Sequence, residues 1–407
     1  MEASTSTAGP RDALARTLLE LHLLGGTAAR GELTERVGCS RSVMGFLLRE
    51  MGERGLVTVD RRPSTARRPD GGRPSHQVRV SDQAPAAIAA ELSADTAAVA
   101  TVALGGNVIR REEHPLPAGR AIPDVIDDLC SMVASQARLT SRLLGVGVAV
   151  PSPVRSEDGY VYAALHLEWP GIALRELMLE RLYEELDVTD LRLTITNDAN
   201  AAGLAESRRG SGREARQLLY LMTSRVGLGG ALIAEKEVFG GAHGYAIEPG
   251  HITVNPNGAA CLCGSYGCLE IEADHRALLR AAGEESEGTE ELVRRIGSLI
   301  QRARDGEARA GEALRTVAAS LGTGLASLIN LTDPDCIVLG GTLATVLELQ
   351  PQPILERVAG RAFLNPAGAI PIRPGELEDA ALIGAAEVAF QPLLVDPRSV
   401  AGKQGAG

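Results

Sequence analysis

HITVNPNGAACLCGSYGCLE, residues 251–270, holds three of the six cysteines of the chain within eight positions. Gly264 and Gly267 bend the backbone between Cys261, Cys263 and Cys268; His251 lies ten residues upstream, with Glu248 just before it. Thiolates so close in sequence cannot all point into one core, but they can converge on a single tetrahedral ion. Three cysteines and one histidine are a common set for structural Zn2+. With four protein ligands no position is left for water, so the expected ion is structural and not catalytic. The other uses of such a cluster are apolar packing, for which free cysteine is suited, and a disulfide. Cys39, Cys130 and Cys336 are scattered, which fits a reducing compartment and argues against the disulfide.

Working outward, 407 residues suit two or three domains, and 44% apolar residues supply ample core. With one Trp, four Phe and six Tyr, that core must be aliphatic and alanine-rich. No apolar run approaches the ~20 residues that span a bilayer, and MEASTSTAGPRDALAR lacks a charged-then-apolar export signal. The expectation is a cytoplasmic protein with no membrane partner. Charge is unevenly spread: residues 1–80 carry thirteen arginines against nine acidic groups, a net of +4, whereas the remainder is net −15 within a total of −11. A basic head on an acidic body points to a polyanion met by the head alone.

In that head, Leu14, Leu18, Leu21 and Leu24 recur at helical spacing and Gly25-Gly26 breaks the run. Residues 29–60 read as two short helices joined at Gly38-Cys39 and followed by a strand. Leu33 and Val37 would pack on Val43, Leu47 and Met51, and Ser40 would cap the second short helix, exposing Arg41 and Ser42. This is the element order of a winged helix-turn-helix, whose second short helix enters a DNA major groove; a small helical bundle for protein contact is the other reading. Ser40, Arg41, Ser42 and Arg49 are the candidate DNA contacts on that helix. The segment 61–80 holds six arginines against one aspartate, with three prolines and two glycines. As a wing it would lay Arg67, Arg68 and Arg73 along phosphates or into a minor groove; otherwise it is a solvated basic linker. The alanine-rich stretch that follows reads as a hinge, with a boundary near residue 84.

Beyond the hinge, strands at 96–104, 106–116, 143–151, 191–198, 216–224 and 335–341 alternate with helices near 122–140, 172–185, 199–208, 274–303 and 307–332. Such alternation predicts an α/β fold with mostly parallel sheets covered by helices. Several strands end in Gly, Pro, Asn or Asp, at the carboxyl ends where open α/β sheets bind ligands.

Five stretches, GVAVPSPV (147–154), TNDANAAGLAE (196–206), GGAHGYAIEPGH (240–251), CLCGSYGCLE (261–270) and DPDCIVLGGTL (333–343), resemble the ROK family of repressors, open reading frames and sugar kinases. With the head, the likeness extends along nearly the whole chain. It implies an α/β, two-lobed actin/hexokinase-like (ribonuclease H-like) body behind an N-terminal winged helix-turn-helix. The implied organisation is a DNA-binding domain at 1–80, a linker and degenerate phosphate loop at 81–95, a first lobe at 96–198 plus 376–396, and a second lobe with the zinc motif at 199–375. It also implies a homodimer or homotetramer, setting two heads on a two-fold-related double-stranded operator. The family's sugar-binding positions fall on Asn197, Asp198, Glu248, His251 and Glu270, with Asp198 at the position of the catalytic base. Hydroxyls both donate and accept, so carboxylates and an amide can fix several at once. A plain helix cap by Asn197-Asp198 is the alternative.

Where family kinases carry an Asp-x-Gly-x-Thr turn for ATP phosphates, this chain reads Glu91-Leu92-Ser93-Ala94-Asp95. The glycine is gone, and an anionic Asp95 repels phosphate. The second phosphate loop, TSRVGLGG (223–230), brings in Arg225. Asp198 is thus expected to be a relic base and the protein not an enzyme. Arg155 and Arg225 add two cations that suit a phosphorylated or acidic sugar; plain surface drift is the other reading. The implied function is a DNA-binding regulator, in the first instance a repressor, that senses a sugar or sugar derivative. The alternatives are an active ATP-dependent sugar kinase and a DNA-binding regulator without an effector.

Overall fold

The computed structural model describes residues 10–60, 76–117, 119–225, 227–286, 288–363 and 369–399. Its N-terminal part runs α1 (Pro10–Leu23), β1 (Thr27–Ala29), α2 (Arg30–Val37), α3 (Arg41–Glu53), β2 (Val57–Asp60) and β3 (Gln77–Val80). β1, β3 and β2 form an antiparallel sheet in that order. α1 ends at the expected Gly25-Gly26 break, where both glycines have positive φ, and α2 ends at Gly38 with φ 69°. The Ser40 side chain accepts from the Val43 N–H and starts α3, satisfying one of the donors that a helix N-terminus leaves open. The buried stripe of α3 is Met44, Leu47, Leu48 and Met51. Val43, expected inside, is 44% exposed with Phe46 at 58%. The stripe is set one residue on because Leu48 joins it.

The body holds two five-stranded sheets of matching topology. The first comprises β4 (Ala86–Leu92), β5 (Thr96–Ala103), β6 (Val108–Pro115), β7 (Leu143–Val150) and β10 (Leu193–Asn197), in the order β10-β7-β4-β5-β6. α4 (Ile122–Arg138) precedes β7, and a two-residue hairpin, β8 (Val154–Arg155) and β9 (Tyr160–Val161), leads to α5 (Leu174–Leu186). After α6 (Asp198–Arg209) the second sheet takes β11 (Gln217–Thr223), β12 (Leu228–Ala234), β13 (Glu237–Val238), β14 (Cys336–Gly340) and β15 (Ile372–Pro374), in the order β13-β12-β11-β14-β15. Between its strands lie α7 (Leu269–Ala273), α8 (His275–Ala282), α9 (Thr289–Arg304), α10 (Ala308–Thr332), α11 (Thr342–Leu349) and α12 (Pro351–Arg361); α13 (Ala380–Val395) returns to the first sheet.

Three expectations change. The sheets are mixed, not mostly parallel: β4-β5-β6 and β11-β12-β13 are antiparallel meanders, and only β10-β7-β4 and β11-β14-β15 pair in parallel. The hinge placed at 81–95 contains β4, the central strand of the first sheet. Its AAIAA run is buried on both faces, by α4 and α13, and strands covered on both sides lose the alternation that marks them. The helix expected at 274–303 is two helices, because Gly283 caps α8 with φ 69°.

The alanine and glycine content serves close approach of backbones. A Cβ on Gly384 of α13 would stand 1.8 Å from the Ala201 carbonyl oxygen of α6, and one on Gly147 of β7 would stand 1.9 Å from the Ala385 oxygen. α13 is thus clamped between α6 and the first sheet. One continuous buried cluster joins Leu14, Leu18 and Leu21 of α1 to Ala385, Phe390 and Leu393 of α13, so the N-terminal part is packed into the body. Among the described residues, no helix is long and apolar enough to cross a membrane.

Candidate functional site

Asn197 closes β10 opposite Val150 at the end of β7, and α6 starts at Asp198. The cap reading holds for Asn197. Its Oδ1 accepts from the Asn200 N–H at 2.9 Å and its Nδ2 donates to the Ser152 carbonyl at 3.1 Å. The cap and a ligand site are compatible, since Asn197 and Asp198 both line a cavity of about 320 Å3 with Ser152, His166, Glu248 and Glu270. That volume is at the lower end of small-ligand pockets, about 300–1,000 Å3. Asp198 Oδ1 accepts from the Ala199 N–H at 2.8 Å. Burial pushes Asp198 up to about 6 and, with the charges of Asp198 and Glu270, pushes Glu248 up to about 7. Burial would also raise Glu270, but it is outweighed by His166, 3.5 Å away, and by the Leu228 N–H at 3.1 Å, so Glu270 is held below its ordinary value. The cavity therefore presents one firmly ionised carboxylate and two that titrate near neutrality.

His251 also lines the cavity and belongs at the same time to the cysteine cluster. One ligand atom from each of His251, Cys261, Cys263 and Cys268 lies within 4.8 Å of all the others. Cys261 Sγ is 3.8 Å from His251 Nδ1 and Cys263 Sγ is 3.7 Å from Cys268 Sγ. The sequence cluster is thus a spatial one, able to hold a metal ion. It sits against the cavity, because Glu270 Oε1 is 4.0 Å from Cys261 Sγ. A wall of the cavity is built from the motif itself, Leu262 and Cys263.

His166, a position at which the sequence departs from the family's sugar pocket, lies in a 3-10 turn before Trp169 and faces Glu270. One neighbour of the site escaped the sequence reading. Glu91, read only as part of a lost phosphate turn, lies where burial and the charges of Asp198 and Asp379 push its carboxyl up to about 7.

The phosphate-binding expectation is corrected. Arg155 pairs with Asp158 through Nε at 2.9 Å, lies 5.0 Å over the Tyr160 ring, and does not line the cavity. Arg225 spans from the second sheet to the first, with Nη1 3.3 Å from Asp95 and Nη2 3.6 Å from Glu113. Both cations are spent on carboxylates, and among the described residues the cavity lining holds neither Arg nor Lys, so this pair does not serve a phosphate in the cavity. In the head, Arg41, Ser42 and Arg49 lie on the exposed face of α3, and Ser40 turns its hydroxyl to the helix. Arg67, Arg68 and Arg73 fall outside the described residues.

Two five-stranded sheets of like topology, with a carboxylate-lined cavity at the strand ends of the first, define the two-lobed hexokinase-like class. The ROK family model matches residues 87–391, three-quarters of the sequence, and the chain belongs to the ROK family. A xylose repressor of Caldicellulosiruptor bescii is 28% identical over 368 residues, 87% of this chain and 89% of its own length. A glucokinase of Streptomyces coelicolor is 31% identical over 304 residues, 70% of this chain and 92% of its own. A solved ROK family transcriptional regulator, described as a homologue of the E. coli MLC protein, superposes with TM-score 0.73 at 21% identity, covering 95% of this chain and 96% of that one. At that identity the likeness speaks for the fold.

Proposed function

We propose that this protein is a DNA-binding transcriptional regulator, in the first instance a repressor, whose body senses a neutral sugar. What carries the reading is the exposed face of α3, with Arg41, Ser42 and Arg49, presented on a body that holds a carboxylate-lined cavity. Residues 10–60 and 76–80 belong to the DNA-reading head, and the two sheets, with β4 restored to the first, are the lobes. A helix enters the major groove with its first residues on base edges, and Arg41 and Ser42 occupy that turn. The xylose repressor's likeness, over 87% of this chain and 89% of its own length, agrees. The second reading, an active sugar kinase, has Asp198 in its favour: a buried carboxyl near 6 is a suitable general base. Against it stands the turn that would meet the phosphates, which has lost its glycine and closes its Asp95 onto Arg225. Catalysis of phosphoryl transfer is positioning and charge neutralisation, and an anionic turn supplies neither.

The ion is assigned as zinc. Two thiolates at ~2.3 Å from a tetrahedral centre stand ~3.8 Å apart, and a thiolate and an imidazole nitrogen at ~2.0–2.1 Å stand ~3.6 Å apart, against 3.7 Å for Cys263–Cys268 and 3.8 Å for Cys261–His251. With His251 and the three cysteines as ligands it would hold Glu248, His251 and Glu270 in place. A homodimer or homotetramer would place two heads on a palindromic operator.

The test is selection of double-stranded DNA from a random pool by the purified full chain, with and without D-glucose, D-xylose and N-acetyl-D-glucosamine, alongside an ATP-consumption assay. Enrichment of a palindrome that one sugar releases is the expected result. No enrichment, with sugar-dependent ATP turnover at ordinary kinase rates of ~1–100 per second, would replace the reading with the second one.

A further inference from the structure

The effector cavity and the head meet the same helix at opposite ends. α6 begins at Asp198 in the cavity wall and finishes at Arg208 and Arg209. From Asp198 to Arg208 every residue is buried. One side of the helix is locked to the second sheet, where a Cβ on Gly203 would press on Ala231 and Tyr220, and the other to α13 through the Ala201–Gly384 crossing. Twelve residues of α-helix span about 18 Å.

The two arginines close on one buried carboxylate, Glu387 of α13. Arg208 Nη1 lies 3.0 Å from its Oε2, and Arg209 Nε bonds its Oε1. Glu387 is 365 positions from its third partner, His22 of α1, whose Nε2 stands 2.8 Å away. The His22 ring bridges the two parts: Nδ1 accepts from the Gly105 N–H at 2.9 Å, while Nε2 faces both Glu387 Oε2 and Arg209 Nη2. Arg209 also reaches the head directly, donating from Nη1 to the His22 carbonyl at 3.1 Å and to the Gly105 carbonyl at 2.6 Å. Burial lowers the His22 pKa, which keeps the ring neutral. Glu387, which burial alone would raise, is held well below its ordinary value by His22, Arg209 and Arg208. Buried charge at a joint is costly unless paired in one geometry, so a displaced α6 cannot leave α1 where it was. The head touches the body at a second, half-exposed place, where Arg398 Nε pairs with Glu50 of α3 at 2.7 Å. Neither residue of that contact lines the cavity.

We propose that Glu387 is a positioning residue that couples the sugar cavity to the DNA-reading head, with α6 carrying displacement from Asn197-Asp198 to α1 through Arg208, Arg209 and His22. The inference rests on the regulator reading above. A ligand shifts a conformational equilibrium only through its differential affinity for the two states, and coupling is reciprocal between the sites; the readout is therefore the ratio of operator Kd with and without sugar, not either affinity alone.

The experiment uses the full chain, operator DNA selected by the wild type, and the same three sugars. The wild type is expected to show a ratio of roughly 5–150, the ordinary range of coupling. E387Q, which keeps the shape and removes the charge, is expected to bring the ratio below about 2, while sugar Kd and sugar-free operator Kd stay within about threefold. R398Q, breaking the other contact, is expected to keep the wild-type ratio. If E387Q does not fold, R209K carries the same expectation and decides the question in its place. A wild-type ratio retained in the Glu387 or Arg209 variant overturns the proposal, as does loss of operator binding without sugar, which would make the cluster a plain clamp. If instead the wild type selects no DNA, or no sugar moves it, the regulator reading itself falls and the coupling with it.

Discussion

Removal of the proposed zinc from the cysteine cluster, by Cys268→Ser or by chelation, should release residues 255–266 while leaving both sheets intact. Among these twelve residues Cys261 alone is buried, so apolar packing does little to order them. Fixing twelve backbones costs ~12–24 kcal/mol at ~1–2 per residue. Against this stand a handful of backbone hydrogen bonds, among them Asn255 N to Gly267 O, Gly267 N to Ala259 O, Cys261 N to Ser265 O and Gly264 N to Cys261 O. At ~1 kcal/mol each they return about 5 kcal/mol. The remaining ~7–19 kcal/mol brackets the ~10–16 kcal/mol that structural zinc supplies in small domains. Even the lower figure is about five decades at ~1.4 kcal/mol each. Hydrogen exchange followed by mass spectrometry is the assay. After metal removal, amides in 255–266 should exchange near random-coil rates while α10 keeps its protection. Metal content should fall from one equivalent per chain to none. Unchanged protection of the loop in metal-free protein would refute the reasoning, because the hydrogen bonds alone would then be sufficient.

Glu248→Gln should change the pH dependence of stability. Its folded pKa, about 7, lies above the ordinary 4.5, so the folded state holds a proton that the unfolded state has lost, and wild-type stability falls as pH rises from about 4.5 to 7. Urea melts should therefore show E248Q more stable than wild type at pH 8, by on the order of 3 kcal/mol, with the difference gone at pH 4; no pH dependence of the difference would contradict the burial argument. Sugar affinity, by calorimetry, should rise in the wild type between pH 5.5 and 8 as Asp198 and Glu248 become acceptors, and a flat profile would remove them as ligands. Arg41→Ala should weaken operator binding by ~1–3 kcal/mol if it reads a base edge, and it should lower the salt slope by about one if it holds a phosphate instead; no change in either would take Arg41 off the interface. Gly384→Ala drives a methyl onto the Ala201 carbonyl and should cost ~1–3 kcal/mol or more in a urea melt, whereas near-wild-type stability would show that α13 can shift.

How much was legible follows from how far each feature reaches along the chain. The metal cluster was legible because its ligands come from eighteen consecutive residues, 251–268, and spacing alone restricts what they can do. Asn197-Asp198 and Ser40 were legible for a related reason, since each is a local cap followed by its own helix. β4 was not, because its signal is absence of alternation in an alanine run, and a strand buried on both faces carries none. Nor was the antiparallel half of each sheet, since strand direction depends on connections whose lengths the sequence does not mark.

Charge was the least legible property, and for a physical reason. An arginine in sequence is a free cation; in the fold its meaning is set by whichever carboxylate lies within about 4 Å, and that neighbour can come from anywhere. Arg155 found Asp158 three positions away, but Arg225 found Asp95 at 130 and Arg209 found Glu387 at 178. The two cations assigned to a phosphate were therefore misread, and the pair that ties head to body went unread. His22, one polar residue within the leucine pattern of an amphipathic helix, offered nothing to distinguish it. Burial gives such a residue its weight: a neutral imidazole with no exposed surface must find both a donor and an acceptor, and here they are Gly105 and Glu387. The cysteine cluster is legible from consecutive residues, while the junction of head and body rests on contacts between residues far apart in the chain.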